Sequence, residues 1–332
     1  MAREEMIEEQ PFLFIFGCGR SGTTLLRSMF DSHPDIAIPG ESGFIWQTRR
    51  RHERRSDFDV QSFVENLLSH RRFQRWGLDP EMIRASMFRD PPVEDFAAAI
   101  RRLYRLFADA RGKERFGDKT PGHVLRLPVI ASMFPEGRFI HLVRDGRDVT
   151  LSYLDIKEWG PASVAEAALY WKKRVQYGRR KGRALEAGRY TEVRYEDLIR
   201  DPETELRRLS QFANLAFHDE MLRYFERAGE VLDLEMHPHR HQGLHRPPTV
   251  GLRDWRTKMN DEDVSCFEAL AGDVLTEFDY ERRFKQTSPS AHVKSRVGAS
   301  KAGIAKFERF ARGATRRFQV RRNDSKSPAG GN

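Results

Sequence analysis

The chain has 332 residues, of which 39% are hydrophobic and 11% aromatic. This is enough apolar material for one large or two modest packed domains, so a disordered chain, a collagen, a coiled coil and a mini-protein are excluded. Two cysteines, Cys18 and Cys266, are too few for a disulfide framework or a cysteine-rich zinc site. No run approaches the roughly 20 apolar residues that a membrane span needs, and the acidic residues 1–10 do not resemble a secretory signal. We therefore expect a cytoplasmic protein.

The net charge of +9 comes from one end of the chain. Residues 285–332 hold twelve Lys and Arg against two acidic residues, which leaves 46 basic and 47 acidic residues before them. Because the basic excess is confined to this segment, we expect no nucleic-acid partner. The segment is rich in Ser, Gly and Ala, and we expect a flexible tail on a body formed by residues 1–284.

The tail carries apolar residues at steps of three and four: Ile304, Phe307, Ala311, Ala314 and Phe318. Lys and Arg lie between them, a pattern typical of a basic amphipathic helix on an anionic membrane surface. Glycines and a modest apolar face fit a solvated tail equally well, so both interpretations stay open. The basic run at residues 49–55 is likewise either a solvated helix face or a surface that meets an acidic acceptor.

Apolar periodicity predicts alternating strands and helices along the body. The predicted strands are residues 12–16, 36–38, 115–118, 138–143 and 190–193. The predicted helices include residues 23–30, 93–110, 123–134, 164–185, 202–212 and 262–278, with a further helix from Arg147 onward and a loop at 236–248. Residues 44–110 are predicted to form a helical insertion over the sheet. The sum is an α/β fold, a three-layer α/β/α domain with a central parallel sheet and right-handed crossovers.

A glycine-bearing turn, Gly17-Cys18-Gly19-Arg20-Ser21-Gly22-Thr23-Thr24, joins the first predicted strand to the first helix. Glycines let successive backbone amides point inward, and a helix N-terminus adds partial positive charge, so this turn predicts a P-loop-like phosphate cradle. Its spacing matches GxxxxGK[ST] except that Thr23 stands at the lysine position. A nucleoside triphosphate therefore lacks its usual β,γ-phosphate contact.

At these residues the sequence resembles the sulfotransferases that use 3′-phosphoadenosine 5′-phosphosulfate (PAPS). Their 5′-phosphosulfate loop is similar to Arg20-Ser21-Gly22-Thr23-Thr24-Leu25, and their donor has no γ-phosphate for a lysine to contact. A second segment, residues 138–149 followed by Ser152, is similar to the family's 3′-phosphate segment. The resemblance implies PAPS as donor, no metal, a hydroxyl acceptor, and Arg144 with Ser152 on the 3′-phosphate, a task that suits the arginine fork.

Two shorter segments resemble the family more loosely. Tyr195, within residues 194–198, is similar to a family tyrosine that lies near the adenine, although an ordinary strand-to-helix turn has the same pattern. Residues 249–255 stand where the family keeps a loop over the nucleotide, so Arg253 is a candidate phosphate contact. Asp254 departs from the lysine that some relatives carry there.

The resemblance also implies catalytic roles for three residues. Glu41 follows the second predicted strand, which we expect to lie next to the cradle, and it is similar to the catalytic base of the tyrosylprotein branch. The alternative is a glutamate that caps the helix beginning near Phe44. Lys119 resembles the lysine that steadies the leaving bridge oxygen and the sulfuryl group, and His123 is the rival base, four residues further on. A surface lysine and a helix-capping histidine are the structural alternatives.

Four histidines, His237, His239, His241 and His245, cluster in the predicted loop. Without cysteines or acidic partners at ligand spacing, this pattern favours a lid that touches substrate over a metal site.

Two other functions remain open from the sequence. One is a P-loop kinase or NTPase in which Arg20 replaces the lysine and Asp145 holds magnesium; the other is a non-catalytic nucleotide- or membrane-binding protein. The acceptor of a sulfotransferase would be a carbohydrate, lipid or tyrosine hydroxyl.

Overall fold

A computed structural model of the chain describes residues 10–52, 58–89, 91–156, 159–249 and 254–284, without the side chains of residues 50–52. The predicted tail, Arg253 and residues 53–55 of the basic run lie outside these residues. The boundary between body and tail therefore stays a prediction. No helix among the described residues is long and apolar enough to cross a membrane.

The chain divides into two compact units. The first takes its residues from Met1–Asp145 and Lys173–Leu252, and the second from Gly146–Lys172 and Arg253–Asn332. The whole β-sheet and the glycine-bearing turn belong to the first unit.

The sheet of the first unit has five strands, all parallel. They are β1 (Leu13–Gly17), β2 (Ile36–Ala37), β3 (Arg115–Lys119), β4 (Arg138–Val143) and β5 (Tyr190–Arg194). Their order is β2-β3-β1-β4-β5, and Leu13 pairs with Gly117 on one side and with Arg138 on the other. The predicted α/β class and parallel sheet are confirmed.

One expected neighbour relation is wrong. The strand before Glu41, β2, pairs with β3 and not with β1, so β3 lies between Glu41's strand and the strand that enters the cradle. A two-residue strand such as β2 carries too little pairing surface for its sequence to reveal its partner.

Helices fill the connections between the strands and also follow the last strand, β5. They are α1 (Thr23–Asp31), α2 (Ile45–His52), α3 (Val60–Leu68), α4 (Arg71–Gln74), α5 (Pro80–Met87), α6 (Phe96–Asp109), α7 (Leu127–Met133), α8 (Gly146–Leu154), α9 (Val164–Gly182), α10 (Tyr195–Arg200), α11 (Pro202–Phe212), α12 (Ala228–Asp233), α13 (Trp255–Lys258) and α14 (Asp261–Glu277). The predicted helix at 123–134 begins as the 3₁₀ helix Pro121–Arg126, and the predicted loop at 236–248 contains a second one, Pro238–His245.

Both faces of the sheet are covered. The reason is that apolar side chains of β1, together with Phe12 just before it, point alternately to the two faces. Phe12, Phe14 and Phe16 pack with the buried face of the helical insertion, including α6. Leu13 and Ile15 pack on the other side with α1 and α12. This alternation explains why a continuous apolar run forms the central strand of a three-layer unit.

The second unit is built around a buried ion pair. Arg147 on α8 donates to Glu268 on α14 at 2.7 Å, and both side chains are fully buried. The Arg147 guanidinium also stacks 3.5 Å from the ring centre of Trp255. Asp148 accepts a hydrogen bond from the Trp255 amide at 2.9 Å, so α8, α13 and α14 are joined by polar contacts.

Candidate active site

The turn after β1 has the backbone of an anion cradle. Arg20 and Gly22 adopt left-handed conformations, with φ of 71° and 95°, immediately before α1 begins at Thr23. Consecutive residues of opposite hand direct their amides toward one point, and α1 has no acidic residue in its first turn. Ser21 is fully buried, and its Oγ has no hydrogen-bond partner among the described residues. These features fit a bound phosphate group.

Three residues that were predicted to bind the donor lie together at this turn. A Cβ atom placed on Gly22 would lie 2.5 Å from Cδ2 of Tyr195, so the tyrosine ring covers the glycine directly. The Arg144 guanidinium lies 4.4 Å from the centre of the same ring. Glu196 accepts a hydrogen bond from the Asp145 amide at 3.0 Å, which ties the end of β4 to the start of α10. The second phosphate candidate, Arg144, is therefore beside the cradle.

The remaining predicted donor contacts are placed as follows. Thr23 and Thr24 are buried in the first turn of α1, and Leu25 is half-buried against the apolar layer under the sheet. Ser152 is buried on α8 and belongs to the second unit. Since Arg144 belongs to the first unit, their predicted joint grip on the 3′-phosphate stays a prediction.

Lys119, the last residue of β3, connects the cradle to the predicted base. Its side chain is fully buried, and its Nζ donates to Thr24 Oγ1 at 3.2 Å, Glu41 Oε1 at 3.2 Å and Glu235 Oε1 at 2.8 Å. An ammonium group has three hydrogens, and each has an acceptor here. Lys119 is thus a site lysine and not a surface lysine.

Glu41 reaches this cluster although its strand lies at the edge of the sheet. The segment after β2 crosses the end of β3, where the Ser42 amide donates to Thr120 Oγ1 at 2.9 Å. Glu41 accepts from Lys119 at 3.2 Å and Arg72 at 3.4 Å, and its side chain is 30% exposed. Among the described residues its carboxylate pairs with these two cations and not with the amides that begin α2.

His123 belongs to a neighbouring polar network. Its Nδ1 lies 2.9 Å from Asp118 Oδ1, and its ring meets Trp46 edge-on at 5.6 Å. Asp118 is buried and also accepts from Tyr104 at 2.6 Å and from the Ser42 hydroxyl. Burial works to raise the pKa of Asp118, but His123 and these hydrogen bonds hold it below its usual value. Among the described residues, no hydrogen bond or ion pair joins His123 to Lys119 or Glu41.

The structure adds one carboxylate that the sequence did not indicate. Glu235, two residues after α12, is almost fully buried and bonds both Lys119 and Arg27. Burial works to raise its pKa, but Lys119 and Arg27 lower the pKa to about 2. Because 116 residues separate Glu235 from Lys119 in the chain, no local pattern could have revealed the pairing.

One of the four clustered histidines, His241, is partly buried and within the electrostatic influence of this site. Burial, and then the charge of Lys119, lower the pKa of His241 to about 4, and Arg20 and Arg27 act in the same direction. His237, His239 and His245 are exposed. Among the described residues no group of three or more His, Cys, Asp or Glu is arranged to hold a metal ion.

Comparison with known proteins identifies a common family. Residues 11–219 match the model described as the sulfotransferase family. The chain is 28% identical over 233 residues to a protein of Caenorhabditis briggsae provisionally named a protein-tyrosine sulfotransferase, an alignment that covers 68% of this chain and 73% of that protein. It is 27% identical over 222 residues to the protein-tyrosine sulfotransferase of Drosophila melanogaster, covering 66% of this chain and 41% of that protein.

A solved structure shares the fold. The sulfotransferase domain from the curacin biosynthetic pathway superposes with a TM-score of 0.57 at 21% identity, covering 82% of this chain and 98% of that domain.

Proposed function

The chain belongs to the sulfotransferase family, and we propose that it transfers the sulfuryl group of PAPS to a hydroxyl group with Glu41 as the base. The observation that carries this proposal is the buried Lys119, which bonds both Thr24 of the cradle and Glu41. One cation thereby links the place where a phosphosulfate would bind to a partly exposed carboxylate. A protein that only binds a nucleotide and catalyses no reaction does not require a lysine that joins the phosphate cradle to a carboxylate.

The first unit supplies a set of donors for the 5′-phosphosulfate. The backbone amides after Arg20, the unpartnered hydroxyl of Ser21 and the first turn of α1 would hold the phosphate oxygens. Arg144, stacked on Tyr195, would carry a second anionic group of the nucleotide. Ser152 and Arg253 are assigned to the donor by the resemblance alone.

The reaction has one bond made and one broken at sulfur. The acceptor oxygen attacks the sulfur in line with the bridging oxygen, and the S–O bond to the acceptor forms as the S–O bond to the 5′-phosphate breaks. The electron pair of the broken bond stays on the phosphate of the product, 3′-phosphoadenosine 5′-phosphate (PAP). Glu41 accepts the proton of the acceptor hydroxyl, and the Lys119 ammonium stabilises the charge on the bridging oxygen.

The acceptor is proposed only as a hydroxyl compound. The two relatives described above are named for protein tyrosine, while carbohydrate and lipid hydroxyls suit the same chemistry. Arg72, which contacts Glu41 and is 40% exposed, places positive charge beside the base. This charge favours an acceptor with an anionic group near its hydroxyl.

The test of the donor site is calorimetric titration of PAP in EDTA. We expect wild type to bind, Arg144→Ala to bind at least about tenfold more weakly because a charged hydrogen-bond partner is lost, and the exposed control Arg84→Ala to bind like wild type. Binding of ATP with magnesium in place of PAP would instead support the hypothesis of a P-loop kinase or NTPase and contradict the proposal.

The test of the base uses Glu41→Gln. This variant should bind PAP as wild type does but lose transfer from ³⁵S-labelled PAPS to a panel of tyrosyl peptides, oligosaccharides and lipids. The exposed Glu81→Gln serves as the matched control. Full transfer by Glu41→Gln would exclude Glu41 as the base and leave His123 as the candidate.

A further inference from the structure

We propose that Glu235 is a positioning residue for sulfuryl transfer, because it fixes the ammonium of Lys119 at the cradle. When the donor binds, the hydrogen bond that Lys119 gives up is then the one to Glu41. This inference rests on the proposed function and deepens it, because it adds a residue to the same site. It also explains the contact between Lys119 and Glu41 in the absence of donor, which breaks when the donor binds.

The first support is the way in which Glu235 is held. Its Oε1 accepts from Lys119 Nζ at 2.8 Å and from Arg27 NH1 at 2.9 Å. Arg27 lies on α1 directly behind the cradle, is fully buried, and donates its Nε to the Ile38 carbonyl at 2.9 Å. The carboxylate is therefore fixed between two buried cations and cannot swing toward solvent without leaving both.

The second support is the backbone on which Glu235 sits. Arg75 donates to the carbonyl oxygens of Asp233 at 3.2 Å and Glu235 at 3.1 Å. The neighbouring Leu234 carbonyl oxygen would lie 2.6 Å from a Cβ on Gly40, so only glycine allows the two segments to approach this closely. Gly40 directly precedes Glu41. The segment that carries Glu235 is thus packed against the segment that carries the base.

The third support is the difference between the two carboxylates. Glu235 has a side chain that is 6% exposed and a 2.8 Å contact to Lys119, whereas Glu41 is 30% exposed with a 3.2 Å contact. All three hydrogens of Lys119 are used, so a bond to the bridging oxygen of a donor requires one acceptor to leave. Water can replace Lys119 at the partly exposed Glu41, but not at the buried Glu235, where the loss of one partner from a buried ion-pair cluster is costly.

Donor binding then prepares the base. As Lys119 turns one hydrogen from Glu41 to the bridging oxygen, the Glu41 carboxylate becomes available for the acceptor proton. Glu235 keeps the ammonium in place during this exchange. The charged groups in contact with Lys119 are Glu41 and Glu235, and Arg27 contacts Glu235 in turn.

The test is a double-mutant cycle on Glu235 and Lys119. Glu235→Gln, Lys119→Met and the double variant are compared by PAP affinity and by single-turnover conversion of PAPS to PAP with enzyme in excess and water as acceptor. We expect Glu235→Gln to lower the rate at least about tenfold while PAP affinity changes less than about threefold, because an oriented ammonium acts on the leaving group and not on ground-state binding. The control is Glu230→Gln on α12, whose side chain is 62% exposed.

The cycle separates positioning from general damage to the fold. If Glu235 acts through Lys119, adding Glu235→Gln to Lys119→Met should change the rate by less than about twofold. Multiplying losses, or wild-type turnover by Glu235→Gln, would overturn the inference while leaving the proposed function intact. Failure of wild type to bind PAP would overturn both.

A second variant guards against misfolding. Glu235→Gln leaves two buried cations with one fewer carboxylate, so Arg27→Met with Glu235→Gln removes the pair together. If folded by its melting curve, this variant should show the same slow turnover as Glu235→Gln. Rapid turnover would contradict the positioning role.

Discussion

Gly22 offers a quantitative test of the cradle, because a methyl group there meets two separate penalties. The residue has φ of 95°, and an added Cβ would lie 2.5 Å from Cδ2 and 2.6 Å from Cε2 of Tyr195. Gly22→Ala therefore combines left-handed strain with a steric clash against a ring that we assign to the donor site.

The magnitude follows from these two contributions. An alanine in the left-handed region costs about 1–2 kcal/mol, and an extra methyl group in a packed site costs about 1–3 kcal/mol. Tyr195 is half-buried, so its ring can move and the clash should fall at the lower end. We expect Gly22→Ala to lower the free energy of unfolding by about 2–3 kcal/mol, with PAP affinity reduced about tenfold because the ring and the Arg144 stacked on it are displaced.

Two other glycines serve as controls in urea denaturation at constant pH. Gly77 has φ of 68° with no atom within 4 Å of an added Cβ, so Gly77→Ala measures the strain alone, about 1–2 kcal/mol. Gly43 has neither positive φ nor a neighbour, so Gly43→Ala should change stability by less than about 0.5 kcal/mol. Neither control should alter PAP binding, since both residues lie outside the proposed donor site.

If Gly22→Ala cost no more free energy of unfolding than Gly77→Ala, the Tyr195 ring would not press on Gly22 as the structure indicates. A further check is to introduce Gly22→Ala into a Tyr195→Ala background, where it should cost less than in wild type because the clash is gone and only the strain remains. An equal cost in both backgrounds would mean that the ring does not lie where the structure places it.

Three further substitutions test charges in the folded chain. Glu268→Gln should lower the free energy of unfolding by about 3–5 kcal/mol, because Arg147 then keeps a buried charge without its partner. Asp273→Asn breaks a pair whose carboxylate is 54% exposed and should cost under about 1 kcal/mol. Urea denaturation curves measure both losses, and equal losses would show that burial does not set the strength of these pairs. The pKa of His241 is lowered to about 4, first by burial, so the unfolded chain binds this proton more readily and folding stability falls as pH drops from about 6.5 to 4. Between pH 7 and 4.5, the free energy of unfolding of His241→Gln should fall by about 2 kcal/mol less than that of wild type. If plots of unfolding free energy against pH were parallel for the two proteins, His241 would not be the group responsible.

The cradle could be predicted because its signals are local. An apolar strand, a turn with glycine at the left-handed position and a helix start all lie within residues 12–30, and each depends on near neighbours in the chain. For the same reason Arg144 was recognisable as a residue at the end of a strand. The family itself is confirmed by the match over residues 11–219.

The placement of Glu41 shows that the sequence does not predict which strands are neighbours in the sheet. The sequence indicated an acidic residue after a short strand, but it suggested the wrong neighbour for that strand, since β3 separates β2 from β1. Glu41 still meets Lys119 because the chain after β2 crosses the end of β3. The contact depends on the path of the connection and not on adjacency in the sheet.

By itself the sequence determined the α/β class, the glycine-bearing turn, the family and the residue types of the candidate site, because these follow from spacing and local conformation. Only the tertiary structure decided which of the candidates meet: Lys119 with Thr24 and Glu41, and His123 with Asp118. It also introduced Glu235, brought to Lys119 across 116 residues by the packing of α12 against the sheet. Contacts between distant segments are set by the burial of apolar faces, and a single sequence does not record which segments those faces bring together.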